Sequence, residues 1–302
     1  MMRGAMTRGS ASRGATSRGA IAYAHARIRA CKSRLLTRAD AAPLFTAADA
    51  ASMQRAIAAI GVESPMQRLL RVYQTAIRGY RDGVPLFRAL LQLHEIENVK
   101  LLWRATSKPV PPTLIARLWI DLGDLASFPI LHAATPNELA TQLAATPYAG
   151  IAMTAARAHG SDIAAAELAF DRWASQRLLA EGRLLPQRES IARRLIELVV
   201  LEREAQLLLR GAKWYGLASV ARSGVPNAAM DITALRRERL RLCRRAFVGS
   251  PFLLAPAVAV LLLAEEELRA VRALIERMGD ERLDAPMIRA SAGSQLGSQG
   301  GA

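Results

Sequence analysis

Cysteine is nearly missing from this 302-residue chain, which contains only Cys31 and Cys243. Two thiols so far apart in sequence form no CxxC metal or redox motif, and they argue against a small secreted fold held by several disulfides. We therefore expect a reducing, cytoplasmic setting. Nucleotide-binding and nucleophile motifs are missing as well, since the chain has no GxxxxGK[ST], GxGxxG or GxSxG.

Acidic residues are too few to balance the basic ones. The chain has 41 Lys+Arg against 26 Asp+Glu, a net charge of +15, and only four of the basic residues are Lys. Such an excess suggests an anionic partner. Four of these charges lie in residues 1–20 as Arg-Gly pairs, and residues 290–302 are rich in Gly, Ser and Gln. Neither segment has apolar periodicity, so both are predicted to be disordered tails.

Strand patterns are missing, and helical patterns fill the chain between the tails. Apolar residues recur at i, i+3, i+4 and i+7, the spacing of one face of an α-helix. This spacing predicts helices over Tyr23 to Leu36, Met66 to Arg81, Leu86 to Thr106, Ala164 to Ala180 and Arg188 to Arg210. The predicted fold class is all-α.

One uncharged run of 19 residues, Ala246 to Ala264, is long enough to suggest a transmembrane helix. Ser250 followed by Pro251 predicts, however, that a helix begins there, with an N-cap serine and a proline at the first helical position. At most 14 residues then precede Glu265. At 1.5 Å per residue this length is too short for a bilayer core of ~30 Å. We predict a buried core helix.

A polar pattern recurs on the apolar faces of the helices. In the helix from Leu86, a carboxylate (Glu95) and an amide (Asn98) share one apolar stripe. A shift of 172 residues reproduces the stripe and keeps its acid as Glu267, whereas a shift of 106 gives a looser match. The polar positions predicted from both shifts are Glu95, Asn98, Lys100, Arg104, Glu204, Arg210, Glu267 and Arg272.

This recurrence predicts a threefold helical repeat over residues 21–120, 121–225 and 226–289. We expect the buried polar groups to satisfy helix-end N–H and C=O groups of neighbouring hairpins. A catalytic role is not indicated, because no histidine or second acid shares the face of Glu95 and Asn98. His94 and Glu95 begin an HExxH zinc pattern, but Asn98 stands where the second histidine would be. No catalytic, metal-binding or cofactor-binding residue is predicted.

Five segments resemble, in order along the chain, landmarks of the C subunit of the bacterial and archaeal V/A-type ATPases, whose eukaryotic V-ATPase equivalent is the d subunit. They are residues 22–40 (AYAHARIRACKSRLLTRAD), 94–105 (HEIENVKLLWRA), 143–151 (LAATPYAGI), 207–217 (LLLRGAKWYGL) and 261–277 (LLLAEEELRAVRALIER). The resemblance extends over about residues 21 to 280. The family's pattern of an acid, an asparagine and a basic residue is complete at Glu95, Asn98 and Lys100, loses its amide in the third repeat and is lost in the second.

The resemblance implies a funnel-shaped chain of pseudo-threefold helical hairpins that is not an enzyme and needs no cofactor. Proteins of this family link the membrane rotor ring of c subunits to the D and F axle subunits, and they transmit torque between ATP chemistry and ion transport. The chain would lie at the cytoplasmic face of the membrane as a peripheral protein. Proton coupling is the default expectation.

Two alternatives come from other classes of protein. A basic helical-repeat protein that binds nucleic acid would explain the net charge and the Arg-Gly tail, and its affinity would fall steeply with salt. An enzyme would have to depend on Glu95 and Glu267. We expect neither nucleic acid nor a substrate to be the partner.

Overall fold

The computed structural model describes residues 18–35, 65–108, 135–160, 162–214, 231–250 and 252–278, with short stretches between 42 and 59 and between 110 and 133. The helices of these residues are α1 (Arg18–Lys32), α2 (Pro65–Gly79), α3 (Val84–Ser107), α4 (Pro136–Gln142), α5 (Ala149–His159), α6 (Ile163–Arg183), α7 (Ser190–Trp214), α8 (Ile232–Arg245) and α9 (Ala255–Met278). No strand occurs among the described residues, which confirms the all-α prediction. The predicted tails lie outside the described residues, except that α1 already begins at Arg18.

The five helices predicted from periodicity are α1, α2, α3, α6 and α7, with ends that differ from the prediction by a few residues. Local capping explains several starts. Thr135 precedes Pro136 at the start of α4, and its side chain accepts a hydrogen bond from the N–H of Glu138. Asp162 does the same for α6 through the N–H of Ala165. These side chains satisfy N–H groups that the first turn of a helix leaves without partners.

Six helices contact one another in a closed order. α2 packs against α3, α3 against α6, α6 against α7, α7 against α8, α8 against α9, and α9 returns to α2. We call these six the helix ring. α1 packs on α2 and α9, whereas α4 and α5 pack on α3 and α6 respectively.

Aromatic and small side chains fill the space between neighbouring ring helices. Trp103 of α3 and Phe170 of α6 are fully buried, with ring centroids 5.0 Å apart in an edge-to-face arrangement. α6 and α7 approach closely at Gly182, where a Cβ atom would lie 2.9 Å from Cγ2 of Ile196. Large aromatic side chains therefore separate α3 from α6, whereas a glycine allows α6 and α7 to approach closely.

The first half of α9 is the apolar run, and it is buried as predicted: Ala257 to Leu262 have no exposed surface. The predicted start at Ser250 and Pro251 is wrong, because α9 begins at Ala255. Glu189, just before α7, accepts a hydrogen bond from the N–H of Leu254 at 3.0 Å. This cap comes from another part of the chain, so the local Ser-Pro signal does not decide where the helix begins.

α9 continues through its glutamates to Met278. Within the described part of the chain, no helix combines the length and the apolar character needed to cross a membrane. The two cysteines are free thiols, both buried.

Truncation of a buried and an exposed phenylalanine will test the assignment of the core. Phe170→Ala should lower the free energy of unfolding by about 3–5 kcal/mol, because it removes a ring packed between α3 and α6. Phe252→Ala, at a side chain that is 45% exposed, is the matched control and should change stability by less than about 0.5 kcal/mol. Urea unfolding followed by circular dichroism measures both, and equal losses would contradict the described packing.

Candidate functional site: buried polar contacts between the helices

Glu95 lies on α3 with no exposed surface. Its Oε1 accepts a hydrogen bond from the N–H of Leu125 at 2.6 Å, and its Oε2 accepts one from the hydroxyl of Tyr148 at 2.7 Å. Gly123 packs directly on this carboxylate with φ of +73°, and a Cβ atom there would lie 2.6 Å from Oε1. Glycine is required at this position both by the close approach and by the left-handed backbone.

Asn98, one turn further along α3, binds the backbone of Ile120 with both ends of its amide. Its Nδ2 donates to the carbonyl oxygen at 2.7 Å, and its Oδ1 accepts from the N–H at 2.8 Å. Glu95 and Asn98 thus hold Leu125 and Ile120 against α3. Glu95 binds the N–H of Leu125 in the short 3₁₀ helix Gly123–Leu125, whereas Asn98 binds Ile120, which lies outside a helix. Both side chains satisfy backbone groups that are buried against α3.

Lys100 and Arg104 extend from α3 to α6. The Nζ of Lys100, although buried, lies 3.0 Å from both carboxylate oxygens of Asp171. Arg104 donates from Nη2 to Glu167 at 3.0 Å. Arg203 of α7 also reaches Asp171 at 3.0 Å. The junction of α3 and α6 therefore contains a buried ion pair, with the cation on α3.

The junction of α7 and α8 contains a second buried pair. Arg239 of α8 is fully buried and donates from Nε to Glu202 of α7 at 2.9 Å. It also donates to Glu266 of α9. Burial opposes the charge, but the two carboxylates outweigh it and raise the pKa of the Arg239 guanidinium. The cation is thus stable where water is excluded.

The junction of α9 and α2 contains a third buried pair. Arg68 of α2 donates from Nε to Glu267 of α9 at 2.7 Å. Beside this pair, Glu265 accepts a hydrogen bond from the hydroxyl of Tyr73 at 3.1 Å and lies 3.0 Å from Nε2 of His94. Consecutive glutamates of α9 therefore bind groups on both α2 and α3.

The pKa values of two buried glutamates are shifted in opposite directions. Burial raises the pKa of Glu95 to about 7, against the opposing hydrogen bonds from Leu125 and Tyr148. Burial would also raise the pKa of Glu265, but nearby His94 and arginines outweigh it and lower that pKa to about 2. Glu265 therefore contributes stability that is lost as the pH falls toward 2. Glu95 instead lowers stability as the pH rises to about 7.

The remaining predicted polar positions have different outcomes. Glu204 is partly exposed and lines a cleft between α6 and α7, whose lining also includes Arg193 and Arg194. The side chains of Arg210 and Arg272 lie outside the described residues, although both positions are helical.

The sequence did not predict the partners that complete the three junctions: Arg68, Asp171, Glu202 and Arg239. One signal was present, because a shift of 171 residues maps Arg68 onto Arg239, one residue from the shift that relates Glu95 to Glu267. Arg239 belongs to the arginine-rich segment ITALRRERLRLCRR, whose charges are typical of a solvated helix face. Its burial could not be read from that pattern.

These polar groups join helices to one another, and nothing in their geometry indicates that they act on a substrate. Glu95 has an elevated pKa, but it has no exposed surface and both oxygens hold protein donors. A group that transfers a proton to a substrate must come within hydrogen-bond distance of it. Among the described residues, no cluster of three or more His, Cys, Asp and Glu could hold a metal ion.

Glu95→Gln will test the buried carboxyl. As the pH rises from about 4.5 to 7, the unfolding free energy of the native chain should fall by up to about 3 kcal/mol. The reason is that the carboxyl of Glu95 loses its proton at a lower pH in the unfolded chain than in the folded one. The glutamine keeps an oxygen for Leu125 and can donate to the Tyr148 oxygen, so the variant should lack that pH slope. Urea unfolding at several pH values measures it.

The exposed Glu138→Gln provides the control, since it removes an equal charge from α4. Its pH slope should match that of the native chain. A Glu95→Gln variant with the native slope would contradict the assignment.

A double-mutant cycle will test the α9–α2 junction. Arg68→Met and Glu267→Gln alone should each cost about 3–5 kcal/mol, because each leaves the opposite charge buried without its main partner. The double variant should be more stable than either single variant. The exposed pair Arg241 and Glu238, 2.8 Å apart on α8, provides the comparison and should show almost no coupling. Additive losses at Arg68 and Glu267 would contradict the buried pair.

No family model matches the chain, and no curated protein is significantly similar to it.

Proposed function

We propose that this chain is a non-catalytic central-stalk component of a V/A-type proton-translocating ATPase. It would connect the membrane rotor ring to the D and F axle subunits at the cytoplasmic face of the membrane. The observation that carries the proposal is the helix ring, whose neighbouring helices are joined by a buried ion pair at three places. The choice of family rests on the five sequence segments that resemble, in order, landmarks of the C subunit of V/A-type ATPases.

The helix ring can be divided into three hairpins, α2–α3, α6–α7 and α8–α9. In this division the second helix of each hairpin packs on the first helix of the next, and the last hairpin packs on the first. The hairpins fall within residues 21–120, 121–225 and 226–289, the three predicted repeats. The cyclic order supports a threefold arrangement around one axis, from which we infer the funnel shape.

The three buried pairs lie at the three junctions between these hairpins. Lys100 meets Asp171, Glu202 meets Arg239, and Glu267 meets Arg68. The charge order is reversed at the first junction, so the junctions share a type of contact and differ in its polarity. A buried pair is broken only at a cost of about 3–5 kcal/mol.

Torque transmission requires an adapter that does not deform when one end turns against the other. Apolar contacts alone are non-directional, and packed helices can slide over one another by small steps. A buried ion pair adds charge-assisted hydrogen bonds, which are directional and stronger than neutral ones. Three such contacts oppose sliding at the three junctions between hairpins, which suits a rigid link between rotor and axle.

A nucleic-acid-binding helical repeat is the second candidate, favoured by the net charge of +15. Its signature is salt dependence, since neutralised phosphates release counterions. Affinity for RNA or DNA should then fall by orders of magnitude between about 50 and 200 mM salt. Lack of affinity at the lower salt would remove this candidate.

Deletion of the gene will test the rotor function. In membranes from the deletion strain, the soluble ATPase head should still hydrolyse ATP while ATP-driven proton pumping is lost, because the link to the membrane ring is missing. Pumping is measured with a pH-sensitive dye and hydrolysis by phosphate release. A tagged chain purified from native membranes should co-elute with the c subunits of the ring and with the D and F axle subunits.

Reintroduction of the wild-type gene is the control and should restore pumping. Normal pumping in the deletion strain would overturn the proposal, as would co-elution of partners other than a rotary ATPase.

A further inference from the structure

Four segments of the described chain meet at one end of the helix ring, where the hairpins turn. The turn before α9 contacts the turn before α7, because the N–H of Leu254 donates to Glu189. It also meets the turn before α3, where Gly83 packs against the side chain of Leu254. The end of α1 joins them, since Arg29 donates to the carbonyl of Phe247 at 2.8 Å. We call the described residues of 29–34, 80–83, 183–189 and 244–254 the turn face.

Large apolar side chains protrude from this face. Val248 is 86% exposed, Leu184 is 78% exposed and Phe252 is 45% exposed. These three make up most of the strongly exposed large apolar side chains among the described residues. They lie on turns, so their exposure follows from the chain reversals and leaves them free to contact a surface beyond the protein.

Exposed basic side chains lie in the same four segments as the apolar tips. Those that define the rim are Arg29, Lys32, Arg34, Arg81, Arg183, Arg188, Arg244 and Arg245. Asp82 is the single exposed acid among the described residues of the four segments, because Glu189 is buried and holds Leu254. The exposed charge of these segments is thus almost entirely positive, and it lies on the same turns as the apolar side chains.

We infer that the turn face binds the surface of an anionic lipid bilayer. Basic residues attract the headgroups of anionic lipids, and apolar side chains at the tips enter the boundary between headgroups and acyl chains. Both features of the face have a partner in that environment. The inference rests on the proposed function for its setting, since a rotor adapter works beside a membrane.

A nucleic acid fits the turn face less well. Phosphates would pair with the arginines and a base could stack on Phe252, but Val248 and Leu184 have no π face on which a base can stack. Their apolar surface would stay in water. A bilayer instead buries that surface and neutralises the charge in one contact, and so uses both features.

The test is co-sedimentation of the full-length chain with sucrose-loaded vesicles. One set contains phosphatidylcholine with about a quarter phosphatidylglycerol, and the other contains phosphatidylcholine alone. We expect binding to the anionic set at about 50 mM salt, weaker binding at about 200 mM salt, and little binding to the neutral set.

Two double variants separate the two parts of the contact. Arg244→Gln with Arg245→Gln removes rim charge, and Val248→Ser with Phe252→Ser removes apolar tips. Each should weaken partitioning to anionic vesicles about tenfold. Arg157→Gln with Arg172→Gln is the control of equal charge, on exposed positions of α5 and α6 outside the turn face. It should change partitioning by less than about twofold.

Absence of vesicle binding at low salt, equal binding to neutral vesicles, or an equal loss in the control variant would each overturn the inference. Binding of a single-stranded RNA that depends on Arg244 and Arg245, without vesicle binding, would also overturn it and would favour a nucleic-acid partner. The assay contains no other component of a rotary ATPase. A negative result therefore leaves the proposed function standing, whereas failed co-elution with positive vesicle binding removes only the proposed function.

Discussion

The architecture depends on one constraint: a charge buried between helices must have an opposite charge beside it. Isolated ions are strongly disfavoured in a protein interior, whereas a well-placed pair with further hydrogen bonds is tolerated. The chain meets this constraint three times, at Asp171, Arg239 and Arg68, which are all less than a tenth exposed. Each pair sets the register of two helices. Sliding by one turn would leave both charges buried without a partner and without hydration.

α9 shows how this constraint organises the rest of the molecule. Its first half is apolar and fully buried, and its middle carries Glu265, Glu266 and Glu267 in succession. Successive residues of an α-helix point about 100° apart, so the three carboxylates together reach three neighbouring helices. Glu265 faces α2 and α3, Glu266 faces α8, and Glu267 faces α2. A helix with such a sequence is stable only when other helices surround it.

Much of the fold, and less of the site, could be predicted from the sequence. Apolar periodicity depends on local spacing, so it located α3, α6 and α7 well. Glu95 and Asn98 stood out because polar residues interrupt an apolar stripe. The start of α9 was wrong because Glu189 caps it from 65 residues away. Arg239 was missed for a related reason, since the burial of an arginine-rich helix depends on neighbours that its own sequence does not reveal.

The contact between Arg68 and Glu267 joins residues 199 positions apart, and it has a consequence for biosynthesis. A ribosome releases α2 long before α9, so the first hairpin must wait for most of the chain to be made before Arg68 finds its carboxylate. Until then the apolar surface that α9 will cover stays open to water and to other chains, as in folding intermediates of large domains. α9 completes the packing of the first hairpin of the ring, so that surface stays open for chaperones to cover until α9 has been synthesised.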